Sequence, residues 1–222
     1  MTRTTTTLPH RSRHAAWALV PAALLWAIPA HATEEDAQVW FYYNTVVPLD
    51  DKTTALIEFS PRWRDEGPDL LQTRATVEMD LSRALSIGAG AAYIEYSGGS
   101  EFRPHQQISF DAGPISFRTR LEQRFFEDAP RPQIRFRQRV ATSVPLGEHT
   151  ELTANVEYLH NLRPERRDKE AGVDSWRGLI GIEQALSEHL TLEVDYHVIL
   201  APREGKPDQL SHIPRMTLTQ RF

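Results

Sequence analysis

Ile115-Ser116-Phe117-Arg118-Thr119-Arg120-Leu121-Glu122-Gln123-Arg124-Phe125 is the stretch whose reading decides the fold. Ile115, Phe117, Thr119, Leu121 and Phe125 fall on one side of an extended chain, and Ser116, Arg118, Arg120, Glu122 and Arg124 on the other. Alternation at period two means a strand with one apolar and one polar face. The competing reading is a soluble periplasmic β-sandwich acting as a binding module, which buries the apolar faces and solvates the polar ones. An apolar outside around a heavily charged inside is instead the pattern of a barrel in a membrane.

Working outward, the same alternation recurs in about eleven segments. Ile134, Phe136 and Val140 alternate with Arg135, Arg137 and Arg139, and Leu152, Ala154, Val156 and Tyr158 with Thr153, Asn155 and Glu157. Toward the carboxyl end, Ile180 and Ile182 flank Gly181 and precede Glu183. Leu190, Leu192, Val194 and Tyr196 alternate with Thr191, Glu193, Asp195 and His197, and Met216 and Leu218 lead to Phe222. Toward the amino end, Ile57 and Phe59 flank Glu58, Val77 and Met79 flank Glu78, and Gly88 and Gly90 leave room inside a fourth segment. His105, Gln107, Ser109 and Asp111 line the inner side of a fifth.

Short turns are expected near 81–85, 111–114, 144–150 and 186–190, and longer polar loops near 97–104, 127–132, 161–175 and 201–211. Short turns on one side and long loops on the other are the sidedness of outer-membrane barrels. The reading is an all-β, antiparallel transmembrane barrel of ten to twelve strands, with Phe222 at the periplasmic rim. Bacterial single-chain barrels have even strand numbers. Eleven segments therefore imply either a first segment lying inside a ten-stranded wall or a twelfth strand.

Residues 1–32 read as a Sec-type signal peptide. Arg3, Arg11 and Arg13 precede an apolar run from Ala15 to Ile28, and Ala30-His31-Ala32 is a small-x-small cleavage site. The barrel domain is then 33–222, exported to the outer membrane of a Gram-negative bacterium. The whole chain carries a net charge of −5, and removing a signal with three arginines and no acid makes the remainder more acidic. That excludes nucleic acid as a partner, since such sites need a basic excess. With no cysteine, an exported chain lacks disulfide staples, and a closed hydrogen-bonded barrel replaces them. A mean hydropathy of −0.46 is compatible with this, because only alternate strand residues meet lipid. Aromatics near strand ends, among them Trp40, Tyr42, Tyr43, Trp63, Tyr96, Phe125, Phe126, Tyr158, Trp176 and Tyr196, suit the two lipid–water interfaces.

Gln38-Val39-Trp40, Arg62, the set Arg118, Arg120, Glu122 and Arg124, and Arg135-Phe136-Arg137 belong to one loose pattern. Glu157 before Leu159-His160-Asn161 and the ending Gln220-Arg221-Phe222 complete it. Through these residues the chain from 33 onward resembles the DUF2490 family of outer-membrane proteins. The resemblance implies a barrel in the outer membrane and brings no catalytic residues, because the family has no established function. The ending Met216-x-Leu218-x-x-x-Phe222 likewise resembles the carboxyl-terminal signal read by barrel-assembly machinery, with Gln220 interrupting its apolar face.

The candidate site is the lumen. Arg118, Arg120, Arg124, Arg135, Arg137 and Arg139 would form a basic wall, with Glu58, Glu78, Glu122, Glu157, Glu183, Glu193 and Asp195 as acidic partners. Buried charges must be paired or stay wet. Full pairing gives a filled, structural lumen. An unpaired ladder gives a narrow pore drawing small anionic solutes, as rings of basic side chains do.

The enzymatic alternative, a barrel acting on lipid or ester substrates, would use His197 with Asp195 and Glu193, or His105 with Ser109 and Asp111. The chain lacks a Gly-x-Ser-x-Gly elbow, and beyond residue 32 it has no histidine pair with zinc-site spacing. The expectation is a non-enzyme without cofactor or metal. Its partners would be outer-membrane lipid and lipopolysaccharide, the assembly machinery and small anions. The run Arg163-Pro164-Glu165-Arg166-Arg167-Asp168-Lys169-Glu170 reads as a solvated outer loop able to meet lipopolysaccharide phosphates.

Overall fold

The structure, a computed structural model, describes residues 33–222. The expected signal peptide lies outside the described residues. Eleven strands follow one another: β1 (Thr33–Pro48), β2 (Thr53–Arg64), β3 (Leu70–Asp80), β4 (Leu85–Tyr96), β5 (Gly99–Ala112), β6 (Ile115–Phe126), β7 (Gln133–Pro145), β8 (Thr150–Arg163), β9 (Gly172–Ser187), β10 (Leu190–Ala201) and β11 (Asp208–Arg221). At 11 to 16 residues, each is long enough to cross a bilayer as a tilted strand, which takes about 9–11. The strands close into one barrel in sequence order. A single closed sheet with an apolar exterior removes the sandwich reading.

Neighbours pair antiparallel throughout, except at the seam. There β1 and β11 run parallel, in register from Thr33 opposite Asp208 to Val46 opposite Arg221. This corrects the expectation of an even wall: the first segment is itself a wall strand. With an odd number of alternating strands, the first and last point the same way, so closure has to be parallel. A parallel ladder still pairs backbone donors and acceptors, which is what a lipid-facing wall requires. Side chains reinforce the seam. The Asp36 carboxylate accepts from Ser211 Oγ at 2.8 Å, from Gln38 Nε2 at 2.5 Å and from the Glu66 amide at 3.2 Å. The Phe222 amide donates to Val46 O at 3.1 Å.

The faces divide as the alternation requires. Ile57 is 53% exposed beside Glu58 at 8%, and Leu121 38% beside Glu122 at 0%. The outside is apolar, and the inside is where the charges are buried. Outward polar side chains satisfy one another: Thr119 donates to Gln138 at 2.6 Å, and Gln123 to Gln106 at 3.1 Å. Tyr158 and Tyr196 hydrogen-bond His160 and His212.

The aromatic reading needs correction. Trp63, Phe125, Trp176 and Tyr196 are exposed on the outside near the long-loop rim, but Trp40 is 5% exposed and faces the lumen. Tyr42 lies inside as well, its hydroxyl accepting from Arg62 Nη2 at 2.6 Å. Phe126 turns in too, under the Arg124 guanidinium. Strand parity, rather than nearness to a strand end, decides which rings reach lipid.

The expected long loop at 97–104 is a two-residue turn. Gly98 supplies a φ of 100°, a conformation other residues adopt only under strain, and β5 begins at Gly99. The other expected turns and loops fall within their stretches, and two further connections, 49–52 and 65–69, join β1 to β2 and β2 to β3. Within β4, Gly90 marks a close approach of β3: a Cβ there would stand 2.1 Å from Ala75 O and 2.7 Å from Thr76 Cα. Both contacts are to backbone and neither can yield without breaking the ladder. Gly90→Val is therefore expected to abolish most of the folded, heat-modifiable band on semi-native gels. Gly147→Ala, in a turn where a Cβ meets nothing within 4 Å, should leave that band intact.

Candidate functional site in the barrel lumen

The lumen is built from the inward residues of every strand, and hairpin pairing puts opposite charges side by side. Register sets Glu122 on β6 opposite Arg135 on β7, and Arg120 opposite Arg137. Glu122 is the centre of this network. Its Oε2 accepts from Arg135 Nε at 2.9 Å and Nη2 at 2.6 Å, and its Oε1 from Arg137 Nη1 at 2.8 Å. Arg137 also reaches Glu157, at 2.6 Å, and Arg118 Nη2 joins the same carboxylate at 3.1 Å. Arg135 continues to Asp174 at 3.2 Å. One chain of carboxylates and guanidiniums thus runs from β6 to β9.

Nearer the long-loop rim, Glu101 holds two guanidiniums. Arg103 donates at 2.6 and 2.8 Å, and Arg124 at 2.7 and 2.9 Å. On the other side of the barrel Arg215 bridges Asp195 at 2.7 Å and Glu193 at 3.1 Å. Glu58 accepts from Gln72 at 2.6 Å and faces Arg74 at 3.6 Å, while the Glu78 carboxylate takes the Gln107 amide. Glu183 lies in register between Glu151 and Glu193 and makes no ion pair among the described residues. Arg62 caps the Trp40 ring at 4.0 Å.

The six arginines of the basic wall are therefore not equivalent. Arg135 puts Nε and Nη2 on one oxygen of Glu122, Arg137 forks onto both oxygens of Glu157, Arg124 belongs to Glu101, and Arg118 and Arg120 are partly engaged. Arg139 makes no ion pair among the described residues, although Glu157 is its register partner. Glu157 is occupied by Arg118 and Arg137. Arg177 of β9 is in the same position, with only a 3.4 Å contact to Ser175 Oγ. Arg74 and Arg177 also face the lumen and lie outside the six arginines of the expected wall. Sequence reasoning missed Glu101 and Arg103, which lay in the stretch read as a loop, and it missed the partners Asp174 and Arg215. Continuing the period-two parity through 99–104 would have found the first two.

The histidine candidates do not assemble into charge relays. Both ring nitrogens of buried His197 lack hydrogen-bond partners, its ring meets Trp40 edge-on at 5.3 Å, and Asp195 is turned to Arg215. His105 Nε2 contacts Thr76 Oγ1 at 3.2 Å rather than Ser109 or Asp111. No group of His, Asp and Glu arranged to hold a metal occurs among the described residues.

At the long-loop rim, Arg131 ties the β6–β7 loop to the β8–β9 loop through the carbonyls of Pro164 and Arg166, at 2.8 and 2.9 Å. Arg166, Arg167, Asp128 and Asp168 line a hollow there.

An apolar-coated closed barrel around an ion-paired lumen defines a barrel of the porin-like class. The chain belongs to the family described as "Protein of unknown function (DUF2490)", whose sequence model matches residues 37–209. An uncharacterized protein of Methylorubrum extorquens strain AM1 is 27% identical over 92% of this chain and 97% of its own length. Among solved structures, the NanC porin is similar in fold, with a TM-score of 0.52 at 11% identity, over 78% of this chain and 90% of that one.

Removing the central carboxylate should be costly, because it leaves several buried guanidiniums uncompensated. Glu122→Gln is expected to destabilise the barrel by about 3–5 kcal/mol, read as a lower urea midpoint of unfolding. Glu165→Gln removes a loop pair with exposed Lys169 and should change the midpoint by no more than about 1 kcal/mol.

Proposed function

We propose that this chain is a narrow outer-membrane pore favouring small anionic solutes. The observation that carries the reading is the presence of Arg139 and Arg177 in the lumen without carboxylate partners, where the neighbouring arginines are paired. A permanently charged guanidinium left free along a lumen attracts anions and repels cations. The likeness to a solved porin supports the reading at the level of fold alone.

In this reading the protein is exported by its amino-terminal signal to the outer membrane of a Gram-negative bacterium. The assembly machinery recognises the end at Phe222, whose 70% exposed ring is free to be grasped. The long loops face outward, where Arg166 and Arg167 can meet lipopolysaccharide phosphates. The barrel is not an enzyme and uses no cofactor.

The test is single-channel conductance of folded protein extracted from membranes, under a salt gradient. Discrete openings with a reversal potential on the anion side are expected, and Arg139→Gln with Arg177→Gln should move that potential toward zero. Arg135→Gln would chiefly lower stability, because that side chain is held by Glu122 and Asp174. Silence from well-folded protein would overturn the pore. It would favour a structural role, for which the specific observation is the ion-pair network around fully buried Glu122, spanning β6 to β9.

A further inference from the structure

The lower part of the lumen, toward the short turns, holds a cavity of about 240 Å³ between β2, β3, β5, β6 and β7. It lies on the short-turn side of the Glu122 network. Four guanidiniums line it, those of Arg74, Arg118, Arg120 and Arg139, against the two carboxylates of Glu58 and Glu78. Guanidiniums outnumber carboxylates in this lining, although Arg118 also reaches Glu157 outside it at 3.1 Å. Glu58 is engaged by Arg74 and Gln72, and Glu78 by the Gln107 amide.

The guanidiniums keep donors unused. Arg120, only 3% exposed, donates through Nε to Gln107 Oε1 at 2.8 Å. Its Nη1 has no acceptor in hydrogen-bond range, the nearest carboxylate being Glu122 at 3.9 Å. The Nε groups of Arg118 and Arg74 are buried and unbonded as well. A buried donor without an acceptor is costly, and three belong to arginines that line this cavity. They come from two different strands, with Arg139 on a third. Guanidiniums brought to one cavity from three strands suit a tetrahedral oxyanion better than a planar carboxylate, which one forked guanidinium already satisfies.

We infer that this cavity is a binding site for one doubly charged tetrahedral oxyanion of the phosphate or sulfate type, held by Arg74, Arg118, Arg120 and Arg139. The site names the solute class within the pore reading and rests on it for the anion's route into the lumen. The anion's charge answers the guanidiniums that outnumber the carboxylates of the lining, above all Arg139, which makes no ion pair among the described residues.

The test is calorimetric titration of inorganic phosphate, and separately sulfate, into the folded barrel extracted from membranes, at constant ionic strength in sodium chloride. Saturable binding of one anion per barrel is expected, and chloride should not compete at similar concentration. Arg120→Gln should weaken it at least tenfold. Arg139 makes no ion pair, so Arg139→Gln should fold normally and still weaken binding several-fold. Glu78→Gln removes an opposing charge and should tighten binding several-fold.

Absence of saturable binding, or binding unchanged in both Arg139→Gln and Glu78→Gln, would overturn the site. Conductance of the same preparation separates this from the pore reading. Binding without conduction keeps the site and removes the pore. Conduction without binding, or without block by phosphate or sulfate, removes the site and keeps the pore.

Discussion

Every backbone N–H and C=O in the wall must find its partner inside the wall, because lipid offers none. Closure of the sheet is the constraint on which the rest of this barrel depends. Eleven strands can satisfy it only if one neighbouring pair is parallel, and that pair is β1 with β11. The seam is also where side chains add hydrogen bonds across the joint, through Asp36 to Ser211 and to the β2–β3 connection. Glycines at Gly90 and Gly181 mark where adjacent strands come too close for a side chain to point inward.

A closed wall of this size then imposes a second problem, because its polar face turns inward. Charges taken from water need partners, and the desolvation they suffer is returned only by good geometry. The β6–β7 hairpin solves this by register, placing Glu122 opposite Arg135 and one step from Arg137. The solution is incomplete. Arginines outnumber the carboxylates that can reach them on the β6–β9 side, and the guanidiniums of Arg139 and Arg177 are left over. Function is to be looked for in that residue of unpaired charge. The paired groups hold one another, and the unpaired ones are those on which the proposed pore rests.

Much of this was legible in the residues. Glu58, Glu122, Glu157 and Asp195 were placed inward by parity alone, and Ile57, Leu121, Ile180 and Val194 outward, and the burial in the structure agrees. Misplacements came where parity was set aside. Trp40 and Tyr42 were assigned to the interfaces from ring type and position near a strand end, yet their inward parity sends them into the lumen. The polar stretch 97–104 reads as a loop, yet its residues from Gly99 onward open β5. An X-Pro step disfavours helix rather than extended chain, and Pro104 is accommodated within β5.

The sequence by itself determined the alternation, and therefore the barrel, its two faces and the charged character of its lumen. A period of two gives each strand one apolar and one polar face, and the heavy charge on the polar faces favours a membrane barrel over a sandwich. Only the tertiary structure decided how the barrel closes and which arginine meets which carboxylate. Closure depends on the count and direction of all the strands together. Pairing depends on inter-strand register and on distances across a curved wall, where the difference between 2.6 Å for Arg135 with Glu122 and no contact for Arg139 with Glu157 separates a structural charge from a free one.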